Sequence, residues 1–322
     1  MIHADARRAA VERWVAEQLP GARFSLEPAS EDASFRRYWR ARLADGRSYV
    51  VMDAPPDKED CRPFVHVAGL LRAAGVHAPE VFAQDLASGF LLLADLGNTT
   101  YLQAINAQNA PKLFADATDT LIRWQLATRA GELPPYDGAL LRREMNLFPE
   151  WYVAKHLKKA IDQERLENIF ALLAKSALAQ PVVYVHRDYM PRNLMVCEPN
   201  PGVLDFQDAV LGPISYDVVS LFRDAFLSWE EEQVLDWTVR YWEKAKKAQL
   251  PVHADFAEFW QAFEWMGLQR HLKVLGIFAR INYRDGKPKY LQDTPRFLKY
   301  SRDVAGRYGA LAPLVRLLDE LQ

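Results

Sequence analysis

Tyr184–Val196, YVHRDYMPRNLMV, together with Gly202–Ala209, GVLDFQDA, is the stretch on which the reading of this chain turns. Three short apolar runs, Val182–Val185, Leu194–Val196 and Val203–Leu204, read as strands bounded by turn residues. Between and after them stand His186, Asp188, Asn193 and Asp205. Asp and Asn often do no more than close turns. Here they recur in a fixed order, with Asp205 at a strand end beyond the loop, and such a constellation argues for chemistry over turn closure.

Toward the N-terminus, MIHADARRAAVERWVAEQLPG predicts an amphipathic helix, with Ala10, Val11, Trp14, Val15 and Leu19 as its apolar positions and Pro20-Gly21 closing it. Ala22–Leu26, Phe35–Leu43 and Ser48–Asp53 are β-rich, and Asp45-Gly46 between the last two is a good hairpin turn. A helix over about 57–74, ended by Gly75, leads to two more strands, Glu80–Gln84 and Phe90–Ala94. Beyond Asp95 the pattern becomes helical, over Lys112–Arg129, Gly138–His156, Asp162–Ala179, Trp229–Ala248, Asp255–Arg280 and Phe297–Leu318, the last interrupted near Pro313. The expected fold is α+β and two-lobed. A β-rich N-terminal lobe with one main helix spans 1–95, a mostly helical lobe spans 96–322, and the cleft between lobes is the expected ligand site.

Composition narrows the partners. The 322 residues are 50% hydrophobic and 25% charged, and 40 Lys and Arg against 42 Asp and Glu give a formal charge of -2, so nothing draws the chain to nucleic acid or to an anionic membrane surface. No apolar run reaches membrane-spanning length, and the charged N-terminus is unlike a signal peptide. Cys61 and Cys197 are far apart and read as two buried thiols, which suits a reducing cytoplasm. A small-molecule partner and a monomer are expected.

His186, Asp188 and Asn193 stand at the H-x-D-x-x-x-x-N spacing of a phosphoryl-transfer loop, and Asp205 completes the set. That reaction needs a carboxylate beside the attacking hydroxyl, plus an amide oxygen and a second carboxylate that hold Mg²⁺ against the phosphates of ATP. Asp188 is the candidate catalytic group, and Asn193 and Asp205 are the candidate metal ligands. His186 is expected to fix the turn rather than move a proton. The remaining histidines make no zinc spacing, and a Walker loop and a G-x-S-x-G nucleophile elbow are absent.

The block VHRDYMPRNLMV through GVLDFQDAVLGPISYDVVSLFRDA resembles the aminoglycoside phosphotransferase and choline kinase-like family, small-molecule kinases with a protein-kinase-like fold. SEDASFRRYWR, YVVMDAPPDKEDCRPF, GFLLLADLGNTTYL, REMNLFPEWYVAKHL and QRHLKVLGIFARINYRDGKPKYL extend the likeness over nearly the whole chain, toward its anomeric amino-sugar kinases of bacterial cell-wall recycling. The resemblance implies ATP-dependent phosphorylation of N-acetylmuramate and N-acetylglucosamine at C1, giving an α-1-phosphate. It places a phosphate-covering loop at Ser30–Arg40, which lacks glycine in its turn but offers Ser34, Phe35, Arg36, Arg37 and Arg40. It also places a nucleotide-holding hinge at Ala94 and Leu96. The strand position where protein kinases carry a phosphate-binding lysine holds Asp53, or Met52 if the register slips by one. Asp53 is expected to pair with a nearby arginine.

For the amino-sugar acceptor, Glu144, Glu150, Arg270 and His271 are the candidates, with Lys273 or Arg270 available to an acceptor carboxylate. Phe256, Trp260, Phe263 and Gly267 recur at helical spacing and read as core. Two alternatives stay open. One is an aminoglycoside, choline or other small-alcohol kinase. The other is a nucleotide-binding pseudokinase, suggested by the missing lysine and glycines.

Overall fold

The computed structural model describes residues 2–30 and 35–321 and divides the chain into two compact units, 1–104 with 192–208, and 105–191 with 209–322. The hairpin around Asn193 therefore groups with the N-terminal segment, although 87 residues of the second unit's chain precede it.

The first unit is built on a five-stranded antiparallel sheet of order β1-β2-β3-β5-β4, from β1 (Phe24–Ser30), β2 (Arg37–Leu43), β3 (Ser48–Asp53), β4 (Val81–Asp85) and β5 (Phe90–Ala94). Helix α1 (Ile2–Gln18) covers one face: Val11, Trp14 and Val15 pack on Ala41, Val51, Phe90 and Leu92. The β2–β3 turn closes at Gly46, whose φ of 89° is a conformation glycine adopts without cost. Between β3 and β4 lies α2 (Arg62–Ala73), which starts later than its periodicity predicts. Asp60 takes the Arg62 N–H in a tight turn, and Pro63 then opens the helix. After β5 come the short α3 (Tyr101–Ala104) and the two-stranded ladder of β7 (Leu194–Met195) with β8 (Gly202–Val203), which joins this unit through the Thr100–Met195 bridge and the Val203 N–H bond to the His77 carbonyl. Cys61 is buried, Cys197 is half-buried, and both are free thiols.

The second unit is helical, with α4 (Ala110–Leu126), α5 (Gly138–Met145), α6 (Gln163–Leu178), α7 (Tyr216–Phe222), α8 (Glu231–Lys247), α9 (Phe256–Asp285), α10 (Thr294–Ala305) and α11 (Ala312–Glu320). A ladder in it pairs β6 (Val182–Val185) with β9 (Val210–Pro213), Val185 opposite Val210. The single helix expected over 138–156 is two elements: α5 ends at Met145 and a π-helical stretch runs over Phe148–Leu157. Pro149 has no N–H to offer the Met145 carbonyl, so the α ladder stops there. Helix α9 is the spine, buried over most of its length, and it approaches Leu147 closely at Gly276, where a Cβ would lie 2.3 Å from the Leu147 carbonyl carbon. The C-terminal break falls at 306–311 rather than at Pro313, which sits harmlessly in the first turn of α11. Among the described residues, no helix is long and apolar enough to cross a membrane.

Candidate active site

Strand alternation sorts the first unit's polar groups onto two faces. Trp39, Val51 and Leu92 pair in register and face α1; so therefore do Arg37, Asp53 and Phe90, two residues along. Asp53 is fully buried there, with Arg7 Nε and Arg37 Nη2 each 2.6 Å from its carboxylate. The expected pairing of Asp53 with an arginine is present, and Arg7 of α1 joins it. The residues that β3 presents on the opposite face include Met52, in line with Tyr38 and Leu91, and Val50, in line with Arg40 and Leu93.

That opposite face forms the wall of a cavity of about 530 Å³ within the first unit, lined by Tyr38, Arg40, Val50, Leu96, Asn193 and Asp205 among others. Arg40 is committed to its own wall. Its Nε and Nη2 meet Asp95 at 2.7 and 3.0 Å, and Nη2 also donates to the Gly97 carbonyl at 3.0 Å. Ser48 and the Gly97 N–H complete the shell around Asp95. Burial alone would raise the Asp95 carboxyl, but Arg40, Ser48 and Gly97 more than offset it and hold it below its ordinary value. The segment after β5 is thus fixed by charge as well as by backbone. At its start, Ala94 donates its N–H to the Glu80 carbonyl at 2.9 Å, and Leu96 is buried and lines the cavity.

At the cavity's other side, Asn193 Nδ2 donates to Asp205 Oδ2 at 3.3 Å and Gln207 Nε2 donates to Asp205 Oδ1 at 2.9 Å. Asp205 has φ 62°, a left-handed conformation that costs a non-glycine residue about 1 kcal/mol and tends to mark functional positions. The Leu204 N–H bond to the Asn193 carbonyl, at 2.9 Å, ties the two residues together through the backbone. One amide oxygen and one carboxylate are hard oxygen donors of the kind Mg²⁺ takes. Among the described residues no cluster of three or more His, Cys, Asp or Glu could hold a metal by itself, and Mg²⁺ on so few protein ligands would complete its shell with phosphate oxygens and water.

The remaining candidates of the covering loop are dispersed. Ser34 lies outside the described residues. Phe35 is 64% exposed with the Lys58 ammonium 6.0 Å from its ring centre. Arg36 is mostly buried and faces Glu59 at 3.4 Å, and Arg37 is turned to Asp53.

In the second unit, His186 to Met190 forms the loop after β6. His186 is buried, and its Nδ1 accepts the Asp188 N–H at 3.3 Å. Asp217, from the first turn of α7, accepts the N–H groups of His186 at 2.7 Å and Arg187 at 3.0 Å. Arg187 has φ 76°, so this anchoring holds a second left-handed residue immediately before Asp188. Tyr189 Oη donates to the Ala117 carbonyl at 2.8 Å and pins the far side of the loop. Burial pushes the Asp217 carboxyl up to about 7, against the lowering effect of the two N–H donors. Sequence reasoning missed Asp217. Its signal was a lone carboxylate in the apolar run PISYDVVSLF, a position that needs a buried partner.

Glu144 is the hub beside this loop. It is buried, with Arg187 and the Tyr136 hydroxyl bonded to it, Lys273 Nζ at 2.9 Å and Gln269 Nε2 at 3.3 Å. Burial would raise its carboxyl, but Lys273 and Arg187 hold it down at about 2. Lys273 also donates to the Tyr216 hydroxyl at 3.0 Å. Of the other acceptor candidates, Glu150 is exposed, Arg270 is 2% exposed, and His271 is 1% exposed with its ring against Phe297 and Tyr300. Burial and the neighbouring Arg270 and Arg223 push the His271 imidazole well below its ordinary value, so it is neutral.

Residues 25–263 match the phosphotransferase enzyme family. A protein named N-acetylmuramate/N-acetylglucosamine kinase from Pseudomonas aeruginosa is 56% identical over 316 residues, covering 96% of this chain and 93% of that one. One of the same name from Pseudomonas putida is 57% identical over 301 residues, covering 92% of this chain and 88% of that one. The solved structure of a choline/ethanolamine kinase family protein from Mesorhizobium loti superposes with a TM-score of 0.64 at 14% identity, covering 99% of this chain and all of that one, which supports the protein-kinase-like fold alone.

Proposed function

This chain belongs to the phosphotransferase enzyme family and is a phosphotransferase with an alcohol acceptor; from that premise we propose that it transfers the terminal phosphoryl group of ATP to the anomeric hydroxyl of N-acetylmuramate or N-acetylglucosamine. The product is then the sugar α-1-phosphate, and its use lies in peptidoglycan recycling. The observation that carries the acceptor is the likeness to the two named Pseudomonas kinases, at 56% and 57% identity over nearly the whole chain. Fold alone does not choose among acceptors.

In this reading Asp188 receives and orients the acceptor hydroxyl, as the carboxylate of a loop whose N–H groups are gripped by Asp217. The sugar oxygen bonds to the γ-phosphorus, the bond from that phosphorus to the ADP oxygen breaks, and the hydroxyl proton passes to Asp188. An anomeric hydroxyl is more acidic than an ordinary alcohol, so position contributes more than basicity. Asn193 and Asp205 are the residues that would hold Mg²⁺, and the ion when bound neutralises charge on the phosphates. Arg40 and Asp95 stiffen the cavity wall in which the nucleotide sits. Glu144 holds Arg187 and Lys273 in place beside the Asp188 loop, and two cations fixed there suit an acceptor bearing a carboxylate.

The test is turnover of the purified protein with ATP and Mg²⁺ against N-acetylmuramate, N-acetylglucosamine, plain hexoses, choline and aminoglycosides, following ADP release and locating the new phosphate by NMR. Phosphate at C1 of an N-acetylated amino sugar is expected. Asp188→Asn should lower kcat by about 10²-fold or more while nucleotide still binds, and Asp205→Ala should weaken Mg-nucleotide binding itself. Full activity in Asp188→Asn, or faster turnover of choline or an aminoglycoside, overturns the reading.

A further inference from the structure

The pairing of Arg40 with Asp95 leaves part of the guanidinium over. We propose that the remaining arm, Nη1, is a nucleoside-binding donor, which donates to a ring nitrogen of the adenine or to a hydroxyl of the ribose. The inference rests on reading the 530 Å³ cavity as the nucleotide site.

Arg40 is 8% exposed and lines that cavity. Its Nε donates to Asp95 Oδ2 at 2.7 Å, and its Nη2 donates to Asp95 Oδ1 and to the Gly97 carbonyl, each at 3.0 Å. Among the described residues Nη1 has no partner. A guanidinium carries five N–H donors in a rigid, planar fork, so the bonds already made fix where Nη1 stands and leave its donors unused. The side chain is thus ordered before any ligand arrives, and a ligand that meets it has little conformational freedom to remove.

Charge and position decide which part of a nucleotide this arm meets. Asp95 is ionised despite its burial, because Arg40, Ser48 and the Gly97 N–H hold its carboxyl below the ordinary value, and it offsets the charge of the guanidinium. So neutralised, Arg40 has little pull on a polyphosphate, whereas a directional bond to a neutral acceptor is retained. Arg40 pairs with Val50, and Val50 with Leu93, so the row leads across three strands to the segment that begins at Asp95. Asn193 and Asp205, the residues that would hold Mg²⁺, are the ones that call for phosphates. Val50, Leu96, Met195 and Leu204 line the same cavity and offer apolar faces to a base.

The experiment measures, by calorimetry with Mg²⁺, the binding of ADP, of ADP analogues lacking ring N1, N3 or N7 or a ribose hydroxyl, and of inorganic tripolyphosphate. The proteins are the intact wild type, Arg40→Lys, which keeps a charge on Asp95 but has no fork, and the double variant Arg40→Met with Asp95→Asn, which leaves no buried charge unpaired; melting temperatures control for folding. In the wild type the analogue without the acceptor should bind about 10- to 100-fold more weakly than ADP, as expected for one hydrogen bond from a charged donor. Both variants should bind ADP more weakly by about that factor and should no longer distinguish this analogue from ADP, because the donor is gone, while tripolyphosphate binds all the proteins alike. An arginine that only supports the wall would leave every analogue penalty of the wild type in place in the variants, and that result overturns the proposal, as does unchanged ADP affinity or a loss shared by tripolyphosphate. A wild type that binds neither ADP nor ATP removes the nucleotide reading and this inference with it, whereas ADP binding with undiminished analogue penalties in the variants removes this inference alone.

Discussion

Replacing Asp217 by asparagine tests how the catalytic loop is held. The carboxylate accepts two backbone N–H groups, from His186 and Arg187, one on each oxygen. An amide of the same shape accepts one of them and turns its own NH₂ toward the other, which costs about 1–3 kcal/mol. A second effect depends on pH. Burial raises the folded-state Asp217 carboxyl from its ordinary 3.8 to about 7, so between those values the folded protein keeps a proton that the unfolded chain has released. Stability from this group is therefore complete below about pH 4 and is lost as pH rises through about 7. A span of about three pH units at ~1.4 kcal/mol each corresponds to ~4 kcal/mol. The Asp217→Asn variant has no such group. In urea unfolding, the advantage of the wild type over the variant should be largest at or below about pH 4 and shrink by ~4 kcal/mol by about pH 8. A difference that stays constant over that range would show Asp217 ionised throughout and would refute the reasoning. The variant should also lose kcat by about 10-fold or more, because Asp188 follows directly on the two anchored residues.

Glu144→Gln leaves Lys273 and Arg187 without their buried carboxylate and should destabilise the fold by about 3–5 kcal/mol at neutral pH, measured by chemical denaturation. Because Glu144 is held at about 2 against an ordinary 4.5, the stability it gives is present above about pH 4.5 and disappears as pH falls through about 2; a gap between wild type and variant as wide at about pH 2 as at about pH 6 would contradict this. Gly276→Ala drives a Cβ into the Leu147 backbone and should cost about 1–3 kcal/mol, visible as a melting temperature lower by several degrees; an unchanged melting temperature would mean that α9 has room there.

Short-range patterns were the legible part of the sequence. Ser48–Asp53, Phe90–Ala94 and Val182–Val185 are strands with the boundaries their alternation and turn residues predict, since those signals are local. Helix α7 escaped because its seven residues are buried all round and carry no amphipathic period. Strand β9 escaped because its partner β6 lies some 25 residues earlier in the chain. Pro149 was overruled by an apolar periodicity that continues through it, although the missing N–H at that point ends α5. Within the candidate site, the spacing of His186, Asp188, Asn193 and Asp205 was readable, and so was the pairing of Asp53 with an arginine. What could not be read was the face on which Asp53 stands, because one residue of register separates the wall of the cavity from the packing against α1, and Arg7 is 46 residues away. Asp217, 31 residues beyond His186, required the same kind of long-range knowledge.

The assignment of 192–208 to the first unit has a practical consequence for dissecting the molecule. A fragment ended near residue 104 would lack the strand that bridges Thr100, the carbonyl that receives the His77 side chain, and the cavity's Asn193 and Asp205. Its complement would carry those pieces as an orphaned insert with no sheet to settle on. Neither half is then an autonomous module, and truncation at the apparent boundary would yield two defective products instead of one nucleotide-binding piece and one acceptor-binding piece.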